Sequence, residues 1–390
     1  LDDGYAEFHW SHSHADNWTS RKFHEWYEAK GYRYEKRLHP ECEHVEIGPP
    51  ADFHQSTWCG EVASDFIAKN VSGKNPWLFS VNFFDPHHSF NPPEEYLNRY
   101  LDRLDEIDMP QYSPGELEKK PSYQSIDHNG AYDGNFYAYA SMTDKDHRFV
   151  KAAYWAMCDL IDDQVGRMMQ ALEDSGQLDN TLVIFMSDHG EMLGDHGAWQ
   201  KECYFDGSCR IPFLVSWPAR LPRDQRCADL VCLTDLFAIA TGAAGEAEVR
   251  EGTDVLGVIA GDESPRESYA GYYGSPGTRD FKIMVRSGEW KYIYLANGGR
   301  EQLFNLEEDP RELRNRAADA PQKARLRERA VAAVDRTNAD RALEAGELKQ
   351  FAFEARPLKR IYQMDGSRGV KGFPQRPEDV VFDTGNTGGA

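Results

Sequence analysis

The chain contains no apolar run long enough to cross a bilayer and no stretch that reads as a signal peptide, so a membrane is not expected as a partner. Basic residues are in short supply: 44 Lys and Arg face 65 Asp and Glu, a net charge of -21. A field of that sign argues against nucleic acid or an anionic lipid surface as the main partner. Cysteine is sparse as well. The seven present form no Cys-x-x-Cys pair, which indicates neither a disulfide framework nor a structural zinc site and slightly favours a cytoplasmic compartment over a periplasmic or secreted one. Internal repeats are missing, and so is an initial methionine, so the chain is expected to be an N-terminally truncated piece of a longer protein. What is there is ordinary for a globular chain: 390 residues, 40% hydrophobic and 12% aromatic, enough to bury a sizeable core.

The most informative stretch is Leu182-Val183-Ile184-Phe185-Met186, an uncharged run that predicts a strand buried on both faces, as in a parallel sheet. It ends at Ser187-Asp188-His189-Gly190-Glu191. At the carboxyl end of such a strand side chains open into the crevice where α/β folds place ligands. Asp188 and His189 therefore arrive together at a candidate site, with Gly190 permitting a sharp turn. A carboxylate and an imidazole on adjacent residues can hold one divalent ion, although two ligands do not complete a site. Taken alone, Asp188 reads more readily as a helix cap and His189 as polar loop.

The string continues through Gly194-Asp195-His196-Gly197 and Lys201 to Ser208-Cys209-Arg210-Ile211-Pro212 and a further apolar run, Phe213-Leu214-Val215. In order and spacing this resembles the sulfatase family and the related phosphonate monoester hydrolases of the alkaline phosphatase superfamily. A second block, Trp77 to Phe84 followed by Asp85-Pro86-His87-His88, reads as another buried strand with His87 just beyond its end. The resemblance implies an alkaline-phosphatase-like α/β fold with a mainly parallel sheet between helices and a smaller C-terminal antiparallel sheet. It further implies Asp188 and His189 as metal ligands, and Lys201 and His87 as catalytic residues that contact the sulfate. His87 would also assist departure of the alcohol; from the residue alone it could as well be a loop histidine bonded to backbone. The cofactors implied are one divalent metal ion, calcium by family, and a formylglycine nucleophile. Many relatives carry asparagine where His189 stands, and imidazole suits manganese or zinc better than calcium.

No Cys-x-Pro-x-Arg occurs in the chain, and the nucleophile signature, in its cysteine or serine form, is expected to lie outside it. This fragment alone is expected to be inactive. Sulfatases open on a strand ending in a metal-binding Asp-Asp pair; Asp2-Asp3 follows no apolar strand and is not taken for it. The expected activity is hydrolysis of a small-molecule or glycan sulfate monoester. The alternatives are a phosphonate or phosphate ester hydrolase of the same superfamily and a non-catalytic binder of sulfated glycan. Because the overall field repels an anion, Lys201, the histidines and a metal must supply local positive potential.

In chain order, Phe8 to Trp18 carries His9, His12 and His14 with Trp10 and Trp18: a metal cluster or solvated histidines, with the tryptophans as a possible wall for a leaving group. Ser20 is expected to cap a helix with Phe23, Trp26 and Tyr27 inward; 38–57 is expected to be loop, followed by a helix near Glu61 to Ala68. The polar excursion over 97–147 is expected to wall the substrate pocket. Helical periodicity from Phe149 to Leu172 supplies a crossover helix, and Asp229 to Ala240 another helix. Arg210 is assigned a structural tie to Glu202 or Asp206. Alternating strands at Phe281–Arg286, Trp290–Tyr294 and Gln302–Phe304 predict a small antiparallel sheet, Ala320 to Leu348 a charged, solvated helix, and 366–390 an extended tail. The expected domains are 1–270, 271–365 and 366–390.

Overall fold

The computed structural model describes residues 5–11, 21–71, 75–116, 128, 137–246, 251–337 and 339–354. Asp2-Asp3, His12, His14, Trp18, Ser20, residues 117–127 and 129–136 of the excursion and the tail 366–390 lie outside the described residues. The chain divides into two compact units: Leu1–Met109 with Asn129–Asp179 and Leu358–Ala390, and Pro110–His128 with Asn180–Pro357.

The first unit is built on helices. The longest, Asp144–Asp174, begins at a capping box in which Thr143 and Asp146 satisfy each other's backbone N–H groups, which is why helix starts there. Its buried stripe, Phe149, Val150, Ala153, Met157, Leu160 and Ile161, repeats at helical spacing. Helix Gln55–Lys69 packs along it, and Gly60 allows the approach: a Cβ there would sit 2.6 Å from Gln164 Oε1. Helix Glu94–Leu101 joins the long helix through Tyr96, whose hydroxyl donates to Asp163 at 2.5 Å. Helix Lys22–Ala29 adds Phe23 and Tyr27 to a buried aromatic cluster with Trp58.

Two expectations fail in this unit. The predicted loop at 38–57 contains an antiparallel hairpin, β1 (Arg37–His39) and β2 (Cys42–Ile47). Pro40 marks its turn, where a missing N–H costs nothing. Trp77 to Phe84 forms no ladder among the described residues. Trp77 and Phe79 pack on Phe66, whereas Leu78 between them is 72% exposed, so the segment is extended and one-sided rather than buried.

In the second unit, β3 (Val183–Met186) pairs with β4 (Phe213–Ser216), antiparallel and only half-buried. The ladders between described strands are all antiparallel, so the parallel pairing expected around β3 is not found there. No crossover helix separates β3 from β4. The chain returns from the end at which β3 stops, and that geometry gives antiparallel neighbours.

The four-stranded meander β5 (Ser268–Tyr273), β6 (Lys282–Ser287), β7 (Trp290–Leu295) and β8 (Arg300–Asn305) is the small antiparallel sheet expected, with β5 added at its edge. Ile283, Val285, Tyr292, Tyr294 and Leu303 face helix Ala320–Arg336, which buries Leu326, Ala330, Ala333 and Val334 against them. That helix keeps the solvated face expected of it while burying the other, and it ends at Arg336. The rest of the predicted span includes a short hairpin, Leu343–Glu344 with Glu347–Leu348, whose Ala345 and Gly346 both take positive φ. The other face of the sheet, Met284, Ile293, Leu295 and Phe304, packs on Met192, Cys203 and Phe205. Both faces of this sheet are thus covered, and the second face carries the loop that follows β3.

Leu326 is fully buried between helix and sheet, so Leu326→Ala is expected to destabilise the protein by about 2–5 kcal/mol. Urea unfolding would show a lower midpoint at unchanged slope; a loss below about 0.5 kcal/mol would contradict this packing.

Candidate functional site

The loop leaving β3 carries the residues singled out in the sequence. The Asp188 carboxylate accepts the His189 N–H at 2.9 Å and the Ser187 hydroxyl at 3.5 Å, and its side chain is 81% exposed. His189 Nδ1 lies 2.8 Å from the carbonyl of Gly190. A carbonyl can only accept, so Nδ1 holds the proton and Nε2 carries the lone pair. That lone-pair nitrogen stands 3.5 Å from Asp188 Oδ2. Two donors each about 2.1 Å from one ion sit roughly 3–3.5 Å apart, so this pair has the separation of a chelate. A carbonyl holding the far ring nitrogen is also how ligating imidazoles are usually oriented. Among the described residues no cluster of three or more His, Cys, Asp or Glu could hold a metal ion.

Gly190 serves close approach rather than left-handed backbone. Its N–H donates to Ser208 O at 2.7 Å, and a Cβ would fall 2.2 Å from Gly207 O. The Ser208 hydroxyl in turn donates to Lys201 O at 2.5 Å and Cys203 O at 3.1 Å. The Asp188–His189 turn and the segment bearing Lys201 are thereby one hydrogen-bonded piece. Glu191 strengthens it: its carboxylate accepts the Gln200 N–H at 2.5 Å, directly before Lys201. Burial raises the Glu191 pKa, opposed by those N–H groups and by the nearby Lys201 charge. Between them Leu193, Gly194, His196, Gly197 and Gln200 all have positive φ, a tight and costly path. It is held by His196, stacked 4.0 Å from Phe205 with Nδ1 3.0 Å from Glu116, and by Asp195, which accepts the Gln111 N–H at 2.7 Å.

The tie that Arg210 was expected to make is weak: it is exposed and 3.9 Å from Asp206. Asp206 is held instead by a lysine the sequence did not flag. The Lys291 side chain is 2% exposed, and its ammonium contacts Asp206, Glu312 Oε1 at 2.8 Å and Tyr204 O at 2.9 Å. Burial disfavours its charge, but the two carboxylates more than offset this and the pKa is raised. Burial also raises Glu312, against the pull of Lys291. Nearby, Lys282 donates to Glu202 O.

His87 belongs to the other unit and is described with it. It sits in a turn, its N–H donating to Phe84 O at 3.1 Å, with Nδ1 2.6 Å from His88 O and the two rings 4.2 Å apart. The peptide before it, Asp85–Pro86, is cis. The sequence reading missed the groups behind this turn: buried Asp85, Ser56 and His54.

It also passed over Ser216-Trp217-Pro218-Ala219-Arg220, which does fit Ser-x-Pro-x-Arg, so the serine form of the signature is not wholly outside the chain. The ladder separates Ser216 from the site: it pairs with Val183, the start of β3, while Asp188 lies beyond the opposite end, roughly 17 Å along a strand. Trp217 is buried and Arg220 stacks on it at 4.2 Å, a structural role for this match.

Comparison with known proteins gives two family matches: Sulfatase over residues 2–246, and the N-sulphoglucosamine sulphohydrolase C-terminal model over 194–339. An arylsulfatase of Clostridium perfringens is 29% identical over 69% of this chain and 54% of its own length. A choline-sulfatase of Rhizobium meliloti is 32% identical over 63% of this chain and 47% of its own. The chain thus spans about half the length of the curated relatives it matches. Phosphonate monoester hydrolases of Silicibacter pomeroyi and Agrobacterium radiobacter superpose with TM-scores of 0.66 and 0.63, at 18% and 24% identity, over 82% and 83% of this chain and 68% and 69% of theirs. These neighbours establish the alkaline-phosphatase-like α/β fold.

Lys291→Met strands Asp206 and Glu312 without their cation and is expected to cost about 3–5 kcal/mol of stability. With no cation, burial favours the protonated Glu312 carboxyl, so the variant's deficit should shrink as pH falls, whereas a deficit constant with pH, or a loss under about 1 kcal/mol, would contradict the role. Denaturant unfolding of both proteins from pH 4 to 8 provides the measurement.

Proposed function

The chain belongs to the sulfatase family, and from that premise we propose that the complete protein hydrolyses a sulfuric ester, an arylsulfatase-like reaction on a small-molecule or glycan sulfate monoester. The observation that carries this reading is the Asp188–His189 pair, with its oriented imidazole and exposed carboxylate at the end of β3. The donor set fits a divalent ion, and the reading includes one, together with a formylglycine nucleophile. When bound, the ion would supply the concentrated positive charge that an acidic protein needs to hold a sulfate.

The chain's own residues do the rest. Asp188 presents an oxygen donor and His189 its Nε2, held in that tautomer by the Gly190 carbonyl. Lys201 places an ammonium where negative charge accumulates on the sulfuryl oxygens, on a backbone fixed through Glu191 and Ser208. His87 stabilises the leaving oxygen as the S–O bond breaks, by hydrogen bond or proton donation. A reading as a phosphonate or phosphate ester hydrolase is favoured by one observation, the imidazole at 189, which suits manganese or zinc better than calcium. Turnover of an aryl sulfate and the matching aryl phosphonate, measured side by side on the full-length enzyme, separates the two; faster phosphonate turnover would overturn the sulfatase assignment.

In that enzyme Lys201→Ala should lower aryl sulfate turnover on the order of a hundredfold or more. A change within about threefold would remove Lys201 from the chemistry. Chelation with EDTA should abolish turnover and readdition of manganese or calcium restore it; undiminished rates after chelation would dismiss the metal.

A further inference from the structure

We propose that His54, Ser56 and Asp85 form a buried clamp that positions His87, setting the aim of that imidazole without touching substrate. The proposal rests on the assignment of His87 to the leaving oxygen made above.

The loop that displays His87 runs from Asp85 to Asn91, and one imidazole stands at both of its ends. His54 caps helix Gln55–Lys69 and is wholly buried. Its Nδ1 accepts the Ser56 N–H at 3.3 Å, which places the ring proton on Nε2, 3.4 Å from the carbonyl of Asn91. The same Nδ1 is 3.5 Å from Asp85 Oδ2. Burial dominates and pushes the pKa down to about 4, against the Asn91 carbonyl and the charge of Glu95, which favour a charged ring. The ring is therefore neutral and keeps one tautomer across the neutral range.

Asp85 is the other half of the clamp. Its carboxylate is buried, and Oδ2 accepts the Ser56 hydroxyl at 2.5 Å. A buried carboxylate is expensive to keep, and this one lies two residues before His87, joined by the peptide to Pro86 and a turn bond from His87 N to Phe84 O. The far end of the loop is sewn to β2 and the residue after it: Glu46 N donates to Phe90 O at 2.9 Å and Gly48 N to Pro92 O at 3.0 Å. A Cβ at Gly48 would lie 1.9 Å from Asn91 O, so that carbonyl is wedged against strand backbone while His54 meets it from the helix. The start of one helix thus grips both limbs of a short loop whose middle presents His87 and His88. Mere stability would not require the grip to fall on those two limbs.

The consequence is specific to leaving-group chemistry. A histidine that assists departure matters most when the departing alkoxide is poorly stabilised, and a displacement of about 1 Å is enough to forfeit much of that assistance. Full-length enzyme is assayed on aryl sulfates with leaving groups from strongly to weakly acidic phenols. His87→Ala sets the reference: turnover should fall progressively more steeply as the phenol becomes less acidic. Ser56→Ala should reproduce the pattern in weaker form, with kcat for the poorest leaving group falling about tenfold more than for the best, and KM within about twofold of wild type. Ser56→Thr, which keeps the hydroxyl, should return kcat to within about threefold of wild type. A uniform fall across the series in Ser56→Ala, or none, overturns the clamp while leaving His87 in place. A flat response in His87→Ala overturns the assignment of His87 itself, and the clamp with it. Should Ser56→Ala not fold, Asp85→Asn is read against the same series by the same criteria.

Discussion

One ammonium group holds the site-bearing loop of the second unit in place. Lys291 lies on a sheet strand with both faces covered, and its charge is satisfied by Asp206, Glu312 and the Tyr204 carbonyl. Asp206 stands between Lys201 and Arg210, and its backbone N–H donates to Glu312 at 2.6 Å. The loop after β3 is therefore pinned to the meander at a point where a missing partner would leave buried charge. Around that pin Met192, Cys203 and Phe205 give the loop an apolar underside on the sheet. A strained path such as 193–200, with three non-glycine residues at positive φ, persists only when its surroundings over-determine it, and these contacts supply that constraint.

Preorganisation follows. The turn at Gly190, the Ser208 hydroxyl and the Glu191 carboxylate tie the Asp188–His189 pair to the backbone around Lys201 through hydrogen bonds. Chemistry that depends on charge stabilisation gains most when donors and charges need no rearrangement as the reaction proceeds. At a net charge of -21 the long-range field repels anions, so any anion held at the loop would depend on local arrangement of this kind.

The sequence showed the candidate site residues more readily than the supports. Asp188, His189 and Lys201 stood out because their order and spacing are distinctive, and β6 to β8 were legible because their side chains alternate. Edge strand β5 escaped because Ala270 and Gly271 interrupt the pattern. Lys291, between Trp290 and Tyr292, reads as an outward polar position. Ile293 and Leu295 on its own face were the available sign that this face is covered. His54, Ser56 and Asp85 carried no signal at all, since their role comes from burial between elements distant in sequence. The run from Trp77 to Phe84 misled for the opposite reason: its apolar content is high, yet Leu78, Ser80 and Asn82 face outward.

The central claim, that the turn after β3 is a preformed half of a metal site, is tested most directly by crystallography of the full-length protein soaked in manganese, with anomalous scattering recorded. The account predicts a peak within about 2.0–2.3 Å of an Asp188 carboxylate oxygen and of His189 Nε2. A manganese peak coordinated elsewhere, with His189 still turned to the Gly190 carbonyl and no ion beside it, would contradict it.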